Sequence, residues 1–251
     1  CGASMLLVDP ELDDALAEVR APHRHVLGAE SDAALYRFGV DPVPWDGIDE
    51  DATAAINYTS GTTGRPKGVQ LTTANYFAFF AAAAGARWAD FSPGEVALAC
   101  MPVFHVAGVN MGVVAVAQGC TAVIMKEVDP AGILELIPRY RVNNAFFVPA
   151  VMLFLRARAV FGCQFFQLYG LTETVGAATC LQDADHDPAL GLLRACGQAY
   201  PGIEIRVVDE QGAPVAPGTV GEVVIRSGVV MKGYWGRPEA TREAIRDGWF
   251  H

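Results

Sequence analysis

Hydrophobic positions along this chain follow two alternating periods. Short apolar runs at 5–8, 54–58, 96–101, 121–125, 145–148 and 164–168 read as buried strands. Longer stretches between them, at 11–19, 73–86, 107–117 and 131–140, read as helices. Asp129 supplies an N-cap for the last of these, and Pro130 stands in its first turn. Such alternation predicts the α/β class, helix-layered and mostly parallel sheets, with ligands beyond the carboxyl ends of strands. After Gly197 the texture changes. Residues 203–208 lead through the turn Asp209-Glu210-Gln211-Gly212 and a Pro/Gly-rich stretch into the strand 222–226, a β-rich pattern, and 238–245 reads as a short surface helix. The expected division is an α/β region over 1–196 and a β-rich subdomain of the same large domain over 197–251. The polar stretch 41–51, with Pro42, Pro44 and Gly47, reads as a connecting loop.

Composition narrows the field of partners. The chain has 251 residues, 52% hydrophobic and 18% charged, enough to bury a large core. A formal charge of −10 argues against nucleic acid or an anionic membrane as a nonspecific partner, since phosphate contacts need clustered Lys and Arg. Six cysteines at 1, 100, 120, 163, 180 and 196 show no CxxC spacing, so a disulfide framework or zinc site is not expected. Reduced thiols in a cytoplasmic core are the default. The start of the chain lacks the basic region of a signal peptide. The uncharged stretch 106–125 is nominally long enough to span a bilayer, but Asn110, Gln118 and the Gly119-Cys120 break favour a buried helix followed by a strand.

The most informative residues are Thr59-Ser60-Gly61-Thr62-Thr63-Gly64-Arg65-Pro66-Lys67-Gly68, placed between the strand 54–58 and a capped helix beginning near Thr72-Thr73. Backbone N–H groups, side-chain hydroxyls and one Lys are offered together, and the glycines let the backbone close around an anion. This is not the P-loop of common NTPases, which ends in Gly-Lys-Ser/Thr. A lone Ser/Thr/Gly stretch would read as a surface loop; Pro66-Lys67-Gly68 behind it turns the reading to polyphosphate binding.

This decapeptide resembles the phosphate loop of the adenylate-forming superfamily, which includes acyl- and aryl-CoA synthetases, luciferases and peptide-synthetase adenylation domains. Tyr169-Gly170-Leu171-Thr172-Glu173-Thr174 resembles that family's adenine- and magnesium-binding segment, in the expected order. Gly221-Glu222-Val223-Val224-Ile225-Arg226, followed by Gly233-Tyr234-Trp235, resembles its β-rich segment near the end of the large domain. Features around 104–108 and 235–245 lean toward fatty-acyl-CoA synthetases. The resemblance implies that Thr59, Ser60, Gly61, Thr62, Thr63, Gly64 and Lys67 hold the β- and γ-phosphates of ATP, and that Thr172 donates to the α-phosphate. Tyr169 would lie against adenine with Gln167, Leu168 and Gly170 beside it, and Glu173 would hold Mg²⁺.

His105, in Met101-Pro102-Val103-Phe104-His105-Val106-Ala107-Gly108, falls where the family has an aromatic residue bordering the carboxylate. A lone His between apolar residues is more often a satisfied core histidine; the segment makes it a positioning group or gate. Thr59, Lys67, His105, Thr172 and Glu173 are thus the expected catalytic set. Val109, Met111, Gly112, Val113 and Phe146-Phe147 are candidates for an acyl pocket and equally for ordinary core. His23 and His25 read as surface loop, and His186 as part of an acidic turn.

The implied reaction is ATP-dependent activation of a fatty or aryl carboxylic acid and transfer to coenzyme A, with Mg²⁺, by an enzyme that could form a homodimer. A carrier-protein acceptor, or a paralogue that binds nucleotide or acyl groups without turnover, are the alternatives. By the same resemblance the chain looks incomplete: a ribose-binding Asp and a small C-terminal domain would follow His251, and a strand–loop–helix unit is expected near 155–157.

Overall fold

The computed structural model describes residues 2–36, 38–41, 47–60, 65–86, 91–147 and 162–251. The chain separates into two compact units, 1–48 and 49–251. In the first, strands β1 (Met5–Val8) and β2 (His23–Val26) pair in parallel, and α1 (Ala29–Leu35) follows. His23 and His25 therefore lie on a strand, not in a loop. The helix expected at 11–19 is also replaced, by a 3₁₀ turn at Pro10–Leu12 and further turns. Its apolar side finds little burial, with Leu12 at 53% and Val19 at 45% exposure and only Leu16 partly covered. Arg24 meanwhile donates to the carbonyls of Asp13 and Leu16 and to the Asp13 carboxylate, stabilising a turn instead of a helical ladder.

The second unit begins with β3 (Thr53–Thr59) and β4 (Lys67–Thr72), an antiparallel pair, before α2 (Thr73–Ala86). The glycine-rich stretch thus falls between two antiparallel strands, not directly between a strand and a helix. Val69 and Leu71 explain why: both are fully buried and need a strand to reach the core. Helix α2 starts where expected because Thr72 and Asn75 cap each other. Thr72 Oγ1 accepts from the Asn75 amide at 3.1 Å, and Asn75 Oδ1 accepts from the Thr72 amide at 3.0 Å.

The α/β layering is clearest around β5 (Val96–Ala99), which pairs in parallel with β6 (Thr121–Ile124) and β7 (Asn144–Ala145). Helices α3 (Val106–Ala117) and α4 (Pro130–Tyr140) flank it. Side chains alternate across the strand: Ala97 and Ala99 pack on Met111 and Ala115 of α3, while Leu98 and Cys100 pack on Ile133 of α4. Asp129 caps α4 by accepting from the amides of Ala131 and Gly132. Among the described residues no helix is long and apolar enough to cross a membrane.

Strands β8 (Gln167–Tyr169), β9 (Thr179–Leu181) and β10 (Gln198–Ala199) form an antiparallel sheet. Beyond it, β11 (Glu204–Val208) and β12 (Glu222–Arg226) are joined through a turn in which Asp209 accepts from the amides of Gln211 and Ala213. Strand β13 (Gly233–Tyr234) returns to pair with β4, and α5 (Pro238–Ala244), β14 (Ile245–Arg246) and β15 (Trp249–Phe250) complete the chain. The largest core spans β4, α2 and residues 175–180, and closes on Met231, Tyr234 and Phe250. The strand–loop–helix unit anticipated near 155–157 lies outside the described residues.

Candidate active site

Strand β8 ends at Tyr169, and the chain then makes a tight 3₁₀ turn at Thr172–Thr174. The turn satisfies itself. Leu171 donates its amide to Thr174 Oγ1 at 3.0 Å, the Gly176 amide reaches the Leu171 carbonyl at 2.8 Å, and the Ala178 amide reaches the Tyr169 carbonyl at 2.7 Å. Gly170 is required by close approach, because a Cβ there would lie 2.5 Å from Ala177 Cα and 2.7 Å from its nitrogen. Val175 adopts φ 55° and ψ 23°, a left-handed conformation costing a β-branched residue about 1–2 kcal/mol. It is held there by complete burial and by Asn110 of α3, whose Nδ2 donates to the Val175 carbonyl.

This folding buries Glu173, which is 8% exposed and so is not the solvated loop acid an isolated reading would give. Tyr234 donates its hydroxyl to Glu173 Oε1 at 2.8 Å. Burial, together with the neighbouring carboxylate, pushes the Tyr234 hydroxyl well above the usual tyrosine range, which keeps it a donor. The ring of the same tyrosine lies 4.9 Å from Lys67 Nζ. Strand pairing sets this arrangement: Tyr234 is opposite Val69 on β4, and the Met231 amide bonds to the Glu173 carbonyl at 2.8 Å.

Around these groups lies a cleft of about 830 Å³. It brings together Thr59, Ser60, Lys67, His105, Leu168, Tyr169, Gly170, Thr172 and Glu173 from the expected set. Gln167 does not line it, and its amide donates to the Ala195 carbonyl at 3.3 Å. Gly61, Thr62, Thr63 and Gly64 lie outside the described residues. His105 is exposed and is not a core histidine; it caps α3, with Nδ1 accepting from the Ala107 amide at 3.2 Å. That bond leaves Nε2 as the protonated nitrogen of the neutral ring. Of the acyl-pocket candidates, Phe146 lines the cleft, whereas Met111 packs in the core with Ala97 and Ala115.

Sequence reasoning missed several cleft residues. Tyr234 belongs to the Gly233-Tyr234-Trp235 string, which carries no expected role, and the cleft is also lined by Glu222, Arg246 and His251, with Glu222 accepting from His251 Nδ1 at 3.0 Å. Only the Gly-Tyr-Trp string hinted at the first; Glu222 lies in the Gly221–Arg226 string without a role attached, and no local signal pointed to Arg246 or His251.

The donor set suits a hard cation shared with a substrate. Among the described residues no three His, Cys, Asp or Glu converge on one point, so a protein cage for a metal is excluded there. Glu173, in a cleft with hydroxyls and a lysine, matches the way Mg²⁺ is held, through one or two carboxylates plus phosphate oxygens. Glu173 uses Oε1 for one hydrogen bond from Tyr234, and a carboxylate has capacity for more.

A buried carboxylate, a lysine, hydroxyls and aromatic side chains thus line one cleft in an α/β fold. The chain belongs to the AMP-binding enzyme family, whose sequence profile matches residues 1–159 and 153–235. It is 34% identical over 286 aligned residues to the fatty acid–[acyl-carrier-protein] ligase ScoC of Streptomyces coeruleorubidus, covering 100% of this chain and 55% of that protein. It is 32% identical to a feruloyl-CoA synthase of an Amycolatopsis species, with the same coverage. The inhibitor-bound N-terminal domain of FACL13 from Mycobacterium tuberculosis superposes with a TM-score of 0.82 at 29% identity, over 99% of this chain and 70% of that one. The chain spans about half the length of the curated relatives it matches.

Proposed function

We propose that this protein is the nucleotide- and acyl-binding part of an AMP-forming acyl-acid ligase. It would activate a carboxylic acid, in our reading a fatty acid, and pass the acyl group to coenzyme A. The observation that carries the reading is the convergence of Lys67, Thr59, Ser60, Tyr169, Thr172, Glu173 and His105 on one cleft from distant parts of the chain.

In the first step a carboxylate oxygen attacks the α-phosphorus of ATP. The bond to the bridging oxygen breaks, and pyrophosphate leaves with its electron pair. Both reactants are anions, so the site must neutralise charge and align the attack. Lys67, with the hydroxyls of Thr59 and Ser60, holds the leaving phosphates, Thr172 donates to the α-phosphate, and Tyr169 rests against adenine. Mg²⁺ bound at Glu173 would offset phosphate charge as the bond to pyrophosphate breaks. His105, exposed at the mouth of α3, positions the carboxylate and gates the approach of the thiol. In the second step the thiol sulfur attacks the adenylate carbonyl and AMP departs.

Pyrophosphate exchange into ATP, screened over fatty and aryl acids, tests the first step. We expect exchange only with an acid present, and silence across the whole panel would sink the ligase reading. A second reading is carrier-protein delivery, favoured by ScoC, itself a carrier-protein ligase. Supplying CoA and a phosphopantetheinylated carrier protein in parallel, and weighing the thioester formed, decides between the two.

A further inference from the structure

Resting on the reading of Glu173 as the metal-holding carboxylate, we propose that Tyr234 is a positioning residue that organises both charged ends of the cleft. Its hydroxyl aims the Glu173 carboxylate, and its ring places the Lys67 ammonium. The two contacts come from different atoms of one side chain, at 2.8 Å to Glu173 Oε1 and 4.9 Å from Lys67 Nζ to the ring centroid.

The side chain has little freedom to do otherwise. Its backbone is clamped from two directions: β13 pairs with β4, and the Tyr234 amide donates to Thr241 Oγ1 of α5 at 2.9 Å. On either side, the Lys232 amide bonds to the Gln70 carbonyl at 3.0 Å and the Trp235 amide to the Gly68 carbonyl at 2.7 Å. Tyr234 is 7% exposed and belongs to the main core, so ring and hydroxyl are packed in place. A buried carboxylate without a fixed donor would be free to turn; one fixed hydroxyl on Oε1 leaves the remaining lone pairs for a cation. Lys67 has four flexible torsions, and an aromatic face beneath its ammonium narrows where it rests before a phosphate arrives. Tyr234 touches neither phosphate nor acyl group in this scheme. It acts through its two neighbours.

The hydroxyl and the ring can be separated experimentally. Mn²⁺ binding is read as water-proton relaxation enhancement with ATP saturating, and metal-free ATP binding is read by calorimetry in EDTA. For Tyr234→Phe we expect the Mn²⁺ concentration at half-enhancement to rise about tenfold, as when the outer partner of a metal ligand is removed. Metal-free ATP affinity should stay within about twofold, since the ring remains. Tyr234→Leu should show the same metal defect and also weaken metal-free ATP binding about threefold. In a Glu173→Gln background, Tyr234→Phe should change Mn²⁺ binding little. An unchanged Mn²⁺ response in Tyr234→Phe overturns the proposal, as does an equal loss with and without Glu173. If Tyr234→Leu loses its near-ultraviolet dichroism, the Tyr234→Phe arm decides. Failure of the unmutated protein to bind Mn²⁺–ATP would instead overturn the ligase reading beneath it.

Discussion

On one side of the cleft, the backbone of residues 169–178 is satisfied by bonds within the segment and by Asn110, Tyr200 and Met231, and it sits against the core, with Thr174 and Val175 fully buried. On the other side, Ser60 is exposed, Lys67 is half-buried, and Thr59 Oγ1 stands 3.5 Å from the Lys67 carbonyl. The first side carries the carboxylate, the second the cation and hydroxyls. Burying a carboxylate is tolerable only where donors and backbone are held in place, so the acidic side is braced. The basic side is more open, which suits the phosphate-binding role proposed for it. The exposed Ser60 hydroxyl can be removed without touching the core, and the Lys67 ammonium meets it at the Tyr234 ring; the Glu173 turn cannot be disturbed so freely.

The largest break in this contrast should come from Glu173→Gln, which keeps an acceptor for Tyr234 while removing the charge. Pyrophosphate exchange should slow roughly a hundredfold or more, with the melting temperature nearly unchanged. An unaltered rate at limiting Mg²⁺ would move the metal to another group. Lys67→Ala comes next. Loss of a charge-assisted contact to phosphate should raise KM for ATP about tenfold. Its melting temperature should hold, and a clear drop would mean that the open side is structural after all.

Asn110→Ala probes the bracing itself. It strips the donor from the buried Val175 carbonyl and should cost about 1–3 kcal/mol in denaturant unfolding. Ser60→Ala, on the open side, should stay within about 0.5 kcal/mol. Equal losses from the two truncations would erase the difference between the sides.

The smallest effect concerns alkaline pH. Burial, aided by the Asp185 carboxylate, pushes the Cys180 thiol behind the Glu173 turn up to about 11, against 9.0 for an unperturbed thiol. Between those values the unfolded chain has released a proton that the folded chain retains, so this contribution to stability is full below about pH 9 and falls as pH rises. Tyr76, Tyr200 and Tyr234 are raised by burial too and add in the same direction at higher pH. Melting curves across this range should show the decline, and Cys180→Ala should flatten its onset.

Much of this could be read from residue order. Helix 73–86 and strand 222–226 have the expected ends, because a Thr72–Asn75 cap and an alternating Val/Ile run are local signals. The same holds for α4 behind Asp129. Other features depend on partners distant in sequence. Strand β4 was hidden because Lys67-Gly68-Val69-Gln70-Leu71 directly follows a glycine-rich loop, and only Val69 and Leu71 reveal it once buried. The turns at 10–18 depend on Arg24 from the next strand. The motif strings marked the cleft, but the Tyr234 contact to Glu173 crosses 61 residues and leaves no trace in local pattern.

The clasp formed by residues 228–235 also dictates when the site can exist during synthesis. Asn75 donates to the carbonyls of Gly228 and Val230, the latter 155 residues further along, and Lys232 reaches the Asp51 carbonyl across 181 residues. At about 5–20 residues per second on a ribosome, the outer edge of β4 waits roughly eight to thirty seconds for its partner strand. For that interval a Val69- and Leu71-bearing strand presents an unpaired edge, the kind of surface on which nascent chains aggregate.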